Sequence, residues 1–365
     1  FGNMKRQYDK FECIGIMHEQ DPSTKAIWTH QQHYVLQLRP LQEDHGQKNN
    51  SKQYNDDCNK FIDWFVDNSK DCETCIFLGD FHHHRSGINI STLNHSVQAV
   101  KKLSENFEKV YMIMGNHDLY YREKRDLNSL PYAGVFNNVT LVEDILQQDD
   151  VALVPWLVGD EWKRINKVQA RYMFGHFELP HFKMNAMVEM PDHGGINVQH
   201  LSSPEYVFSG HFHKRQHKGN IHYLGSPFPH NYADAWDDDR GMMKLSWGGK
   251  PEYFDFDGPR YRTVPLSRLI DDAENILNHN TYCRAVLDVN ITYEEANFIK
   301  ETFAEQYQLR DITLMPSKKE EHAQDWRQVD DIEVENVDQI VYNSLNAVDS
   351  EMIDKKLLVD IYNNL

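Results

Sequence analysis

Four times in this chain a short apolar run ends on a glycine that is followed at once by Asp, Asn or His. Thr74–Leu78 leads into Gly79-Asp80, and Val110–Met114 leads into Gly115-Asn116-His117-Asp118. Tyr172–Phe174 leads into Gly175-His176, and Tyr206–Phe208 leads through Ser209 into Gly210-His211-Phe212-His213. The runs have the length and the aromatic or β-branched content of buried strands. Glycine lets the backbone turn tightly at a strand end. Strands of a sheet that end on one side would therefore gather Asp80, Asn116, His176, His211 and His213. These are hard or borderline O and N donors without a thiolate, a set that suits Mn, Fe or Zn better than a Cys-type structural zinc site. A single Gly-His pair is ordinarily a loop histidine, so the argument rests on the series. Within the second turn, His117 offers a titratable ring and Asp118 an acceptor to orient it.

The regular structure around these turns reads as α/β. Cys58, Phe61, Ile62 and Phe65 share one face at helical spacing. Ser91 is placed to cap a second helix with Leu93, Val97, Val100 and Leu103 inward. Strand, helix, strand in that order implies parallel pairing with right-handed crossovers. Strands are also expected at 139–142, 151–154 and 221–224, with 242–246 and 252–256 joined through Gly248-Gly249. Residues 1–33 give no clear signal, and Tyr34-Val-Leu-Gln-Leu38 reads as the first strand. Past Pro259 the pattern becomes a small α+β unit: helix from Leu269, strand from Tyr282, helix from Tyr293, strand from Asp311. Residues 317–335 are dense in charge and read as a linker. Residues 336–365 carry two short amphipathic helices that need something to pack on.

The ordered set GD, GNHD, GH, GHxH resembles the signature of calcineurin-type metallophosphoesterases. Gly115–Tyr121, Pro155-Trp156, Gly175-His-Phe-Glu178, Gly210-His-Phe-His213 and Tyr223-Leu-Gly-Ser-Pro227 further resemble the SbcD-type DNA-repair nucleases. They most resemble the version in T-even-like phages, where it is the nuclease subunit of a recombination complex. The resemblance runs from about Asp44 to the C-terminus. It implies a four-layer α/β/β/α sandwich over 34–259, a capping domain over 260–316, and C-terminal helices that grip the coiled coil of an SbcC-type ATPase. It implies two divalent cations, Mn foremost with Mg, Fe or Zn as alternatives. Asp80 would bridge them, Asn116, His176 and His211 would complete one site, and His213 would serve the other. His117 would be the general acid with Asp118 holding its ring, and His83 would lie near the phosphate. The family places Asp-x-His-x-Gly directly after its first strand, whereas after Leu38 this chain offers only adjacent Asp44 and His45, about five residues late. The implied activity is DNA exo- and endonucleolytic cleavage, with a homodimer through the nuclease domain. A phosphoesterase for small diesters or nucleotides, or a scaffold with an impaired metal site, stays open beside it.

Composition limits the field further. A net charge of −18 argues against binding nucleic acid through bulk electrostatics, but cations at a site can supply the positive charge a phosphate needs. Arg122, Lys124 and Arg125, and then Lys214 and Arg215, are local basic groups that could face a phosphate backbone. Five cysteines in no disulfide-like spacing fit a reducing compartment, and Cys72-Glu-Thr-Cys75 reads as part of a strand. No apolar run reaches the roughly 18 residues of a membrane span and no signal peptide is seen, so the expected location is the cytoplasm, of the host if phage-encoded.

Overall fold

The computed structural model describes residues 24–28, 45–82, 87–185 and 188–316. For 24–28, 45–52 and Tyr293 the backbone alone is described. All of these but Pro316 belong to one compact unit, Phe1–Met315. The expected linker and C-terminal helices, Asp44, His83 and the strand read at Tyr34–Leu38 lie outside the described residues.

The first sheet contains β1 (Thr24–Trp28), β2 (Cys72–Phe77), β3 (Lys109–Ile113), β4 (Val139–Val142), β11 (Gly241–Ser246) and β12 (Glu252–Asp255), in the order β12-β11-β1-β2-β3-β4. Strands β1 to β4 run parallel, and β11 pairs antiparallel with β1. The second sheet contains β5 (Leu146–Gln148), β6 (Val151–Val154), β7 (Tyr172–Gly175), β8 (Tyr206–Ser209), β9 (Gln216–Lys218) and β10 (Ile221–Tyr223), in the order β5-β6-β7-β8-β10-β9. Its central strands β6, β7, β8 and β10 are parallel. The reading of 1–33 as uninformative needs correction here. Thr24–Trp28 is the strand that sits between β11 and β2, so the sandwich begins before residue 34.

Helices α1 (His45–Asp67) and α2 (Ile90–Asn106) cover one face of the first sheet. Phe61, Phe65, Val100 and Leu103 from the helices meet Phe77, Val110 and Met112 from the strands, all buried. Each such side chain contributes about 1.5–3 kcal/mol. Between the sheets lie Ile76, Ile113, Phe174, Phe208 and Met243. The outer face of the second sheet is covered mainly by loops and by 3₁₀ turns at Gly159–Lys167 and Val198–Leu201. The fourth layer is thus thinner than two α-helices. Residues Arg260–Pro265 (β13), Leu266–Ile276 (α3), Thr281–Leu287 (β14), Tyr293–Gln306 (α4) and Asp311–Pro316 (β15) form a separate three-stranded sheet with its own apolar cluster. A buried two-pronged ion pair from Arg310 to Asp57 fastens it to α1.

Helix α2 differs from the sequence reading in a way that has a cause. Its cap is Asn89, whose side chain accepts from the Ser91 amide at 2.8 Å, and Leu93 is exposed. The buried face carries Thr92, Ser96, Ala99, Val100 and Leu103. A polar Ser96 is buried because its hydroxyl lies 3.0 Å from His82 Nε2, while the other ring nitrogen lies 2.8 Å from Ser129 Oγ. His82 is therefore a packed histidine, and burial pushes its pKa down to about 3.

That shift has a sign. An unfolded His82 takes a proton near pH 6.5 and the folded one does not until about pH 3. Between those values the unfolded state binds more protons, so stability falls as pH falls, by about 1.4 kcal/mol per unit. Urea midpoints measured from pH 3.5 to 7 should show a shallower acid limb in His82→Asn than in the native chain. Parallel limbs would remove His82 from that role.

Candidate metal centre

The register of the two sheets brings the four turns together. In the first sheet Phe77 pairs with Met112, so Gly79-Asp80 and Gly115-Asn116 leave neighbouring strands at the same end. In the second, Gly175 pairs with Ser209, so His176 and His211 also leave side by side. Two glycines allow the close approach. A side chain at Gly115 would strike Asp80, and one at Gly79, where φ is +100°, would strike the His176 ring.

Asp80, His176 and His211 present one donor atom each within 4.8 Å of one another. Asn116 Oδ1 lies 2.9 Å from His176 Nε2 and 3.1 Å from His211 Nδ1. Those two ring nitrogens are 3.2 Å apart, and Asp80 Oδ2 is 3.4 Å from His176 Nε2. The protons are fixed from outside. His176 Nδ1 faces the Leu78 carbonyl at 2.8 Å, and His211 Nε2 faces the Glu178 carboxylate at 3.1 Å. Both partners only accept, so the outer nitrogens carry hydrogen and the inner ones turn lone pairs to the centre. Two imidazole lone pairs, an amide oxygen and a carboxylate then converge with no proton among them. Such a hole is electron-rich and fits a divalent cation.

A proton competes with a cation for those inner nitrogens, and the two rings differ in how they titrate. Burial works to lower the His176 pKa, but the Asp80 carboxylate outweighs it and the ring titrates above the ordinary imidazole value. His211 is lowered, by burial first and then despite Glu178, with His176 opposing a second charge. The centre also holds backbone strain, for Asp80 has φ +57° and His211 φ +83°, both in the left-handed region.

Asp118 requires a correction. Its carboxylate does not orient the His117 ring. Oδ2 accepts from the amides of Asp80 (2.7 Å) and Gly115 (2.9 Å), and Oδ1 accepts from the amide of His82 (3.1 Å). It therefore ties the turn after β2 to the turn after β3. Burial, and then the Asp80 charge, push its pKa up to about 7. The His117 amide donates to Asp80 Oδ1 at 2.7 Å, and the residue is half-buried. His213 stands apart from the trio, with Nδ1 3.9 Å from Asp234 and its ring edge-on to His230. Of His45 only its backbone place at the start of α1 is described.

Three residues that the sequence reading quoted in motifs, but gave no role, support the centre. Glu178 holds His211, and its position two residues after His176 in an extended segment, hence on the same side, was the available signal. Trp156 packs its indole on both rings, 5.2 Å from His211 and 5.9 Å from His176. The Tyr223 hydroxyl donates to the Phe177 carbonyl at 2.9 Å and steadies the turn after β7. Of the five basic groups, Lys124 lies over the Tyr121 ring, Arg122 helps His211 lower the pKa of Glu178 beside the centre, and the other three are paired. Arg125 bonds Glu161 and the Trp156 carbonyl, Lys214 pairs with Asp237, and Arg215 pairs with Asp255.

The calcineurin-like phosphoesterase family matches residues 29–215, more than half of the chain. The chain belongs to that family. This phosphoesterase is also 23% identical over 309 residues to exonuclease subunit 1 of Enterobacteria phage T4, covering 80% of the chain and 86% of that relative. No helix among the described residues is long and apolar enough to cross a membrane.

Proposed function

We propose that this phosphoesterase is the nuclease subunit of an SbcCD-like recombination and repair complex, cutting DNA phosphodiesters exo- and endonucleolytically with two divalent cations, Mn foremost. The observation that carries the reading is the inward convergence of Asp80, Asn116, His176 Nε2 and His211 Nδ1 with their outer protons tied off. The name of the phage relative supports DNA as the substrate class. In this reading Asp80 would serve both cations, Asn116, His176 and His211 would hold one, and His213 with Asp44 and His45 would serve the other. Bound there, divalent cations supply Lewis-acid charge for phosphate oxygens and lower the pKa of a water.

The chain's own residues do the rest. Asp80 accepts the His117 amide and so ties the backbone that carries His117 to the centre. His117, protonated, gives its proton to the leaving 3′-oxygen, a contribution of about 10²–10⁴-fold. His83 assists at the phosphate. Trp156 shields one side of the two ring ligands from water. An SbcC-type ATPase gripping residues 336–365, a homodimer through the nuclease domain and a cytoplasmic location belong to the same proposal. The test is Mn²⁺-dependent degradation of linear duplex DNA by the native chain and by His117→Ala. A loss of about 10²-fold or more is expected, and equal rates would remove His117 as the acid.

One observation favours a second reading, a non-catalytic scaffold with an impaired metal site. Directly after β1 the chain reads Thr29-His30-Gln31-Gln32-His33, with no carboxylate where the family's first motif has its Asp. Metal analysis separates the two: two ions per chain support the nuclease, while one or none with DNA left intact supports the scaffold.

A further inference from the structure

A cavity of about 250 Å³ opens beside the centre. Trp156, Trp162, Met190 and Ile196 form its walls, while His176 and Glu178 form the end that meets the metal donors. We infer that this cavity is a base-binding subsite, taking the nucleobase of the nucleotide whose phosphate sits at the centre. The inference rests on the phosphodiesterase reading above and deepens it.

Size is the first argument. Pockets for drug-sized ligands span roughly 300–1,000 Å³, so this smaller space suits one flat heterocycle. Chemistry is the second. Two indoles face it, and aromatic side chains are the usual stacking platforms for unpaired bases because every base has a π-face. Position is the third. His176 borders both the cavity and the donor cluster, so an occupant of the cavity lies next to whatever the cluster holds.

The walls are also held in place before anything binds. Arg125 joins the Trp156 carbonyl to Glu161, and Glu161 accepts the Val158 amide at 2.9 Å, which fixes the turn that carries Trp162. The back of Trp162 is covered by the edge of His200 at 4.9 Å. The inner end carries the Glu178 carboxylate, and at the rim the Asp192 carboxylate accepts the Gly194 amide at 2.9 Å. Stacking on indole walls is tolerant of base identity, as an enzyme passing along a strand requires.

Calorimetric titration of the full chain in Mn²⁺ buffer compares deoxyadenosine 5′-monophosphate with 2-deoxyribose 5-phosphate, which lacks the base. The nucleotide should bind about tenfold more tightly, and thymidine 5′-monophosphate should behave likewise. In Trp162→Ala that gap should shrink to about twofold or less. Ile196→Trp, which fills the cavity rather than emptying it, should close the gap in the same way. Equal affinities in the native chain overturn the subsite, as does a gap that survives both substitutions. Cleavage of duplex DNA is followed on the same preparations. A native chain that cuts DNA with no base-dependent gap sinks the subsite alone. One that shows the gap and leaves DNA intact upholds the subsite and sinks the nuclease reading.

Discussion

Asp80→Asn will leave the protein folded and take away its chemistry. The substitution keeps the shape and an oxygen for the His117 amide, but removes the charge that a cation at the centre needs most. Under the proposed metal-dependent mechanism, loss of this carboxylate costs several kcal/mol of transition-state stabilisation, which at 1.36 kcal/mol per factor of ten is about 10³-fold in rate. Two measurements check it. Mn²⁺-dependent hydrolysis of linear duplex DNA should fall by that factor, and the rise in melting temperature on adding Mn²⁺ should disappear. A variant that keeps a rate within about tenfold of the native one, and still gains stability from Mn²⁺, would put the reactive centre elsewhere.

The second large effect concerns the fold rather than the rate. Asp118→Ala strips the acceptor from three buried amides, those of Asp80, His82 and Gly115. Each unsatisfied donor costs about 1–3 kcal/mol, so a loss of about 3–9 kcal/mol is expected against a total stability of about 5–15 kcal/mol. Asp118→Asn should lose less, because one amide oxygen can still take the two bonds now made by Oδ2 while the His82 amide faces an NH₂ group. Urea midpoints of the two variants measure this directly. If Asp118→Ala unfolds with the native midpoint and only its DNA-cutting rate falls, the carboxylate works through a side chain and not through the backbone.

Asp118 also marks where sequence reading stopped. Its neighbours made it look like a ring-orienting acceptor, because an Asp one residue after a His invites that pairing. The winning interactions come from residues 36 and 38 positions away, and no spacing rule announces those. The strand–Gly–donor series was legible because it depends on local grammar and on the rule that parallel strands end together. Asp80, Asn116, His176 and His211 meet, while His213, which the same series would have gathered, faces Asp234 and His230 instead. Strand β1 was missed because Thr24–Trp28 is five residues long and mixed in polarity, while Tyr34–Leu38 has the more apolar pattern. The inward face of α2 was missed by one residue because Ser96 is drawn in by His82 rather than by hydrophobicity. Glu178 went unassigned although its spacing from His176 was visible. Its role depends on His211, which arrives from the next strand of the sheet.

Asp80 and His211 adopt backbone angles that glycine would accept with less strain. A mutation to glycine at either position would ease the loop and delete the donor in one step. Improvement of the scaffold and preservation of the chemistry therefore pull in opposite directions at these two codons, and screens that reward heat tolerance alone would tend to erode them.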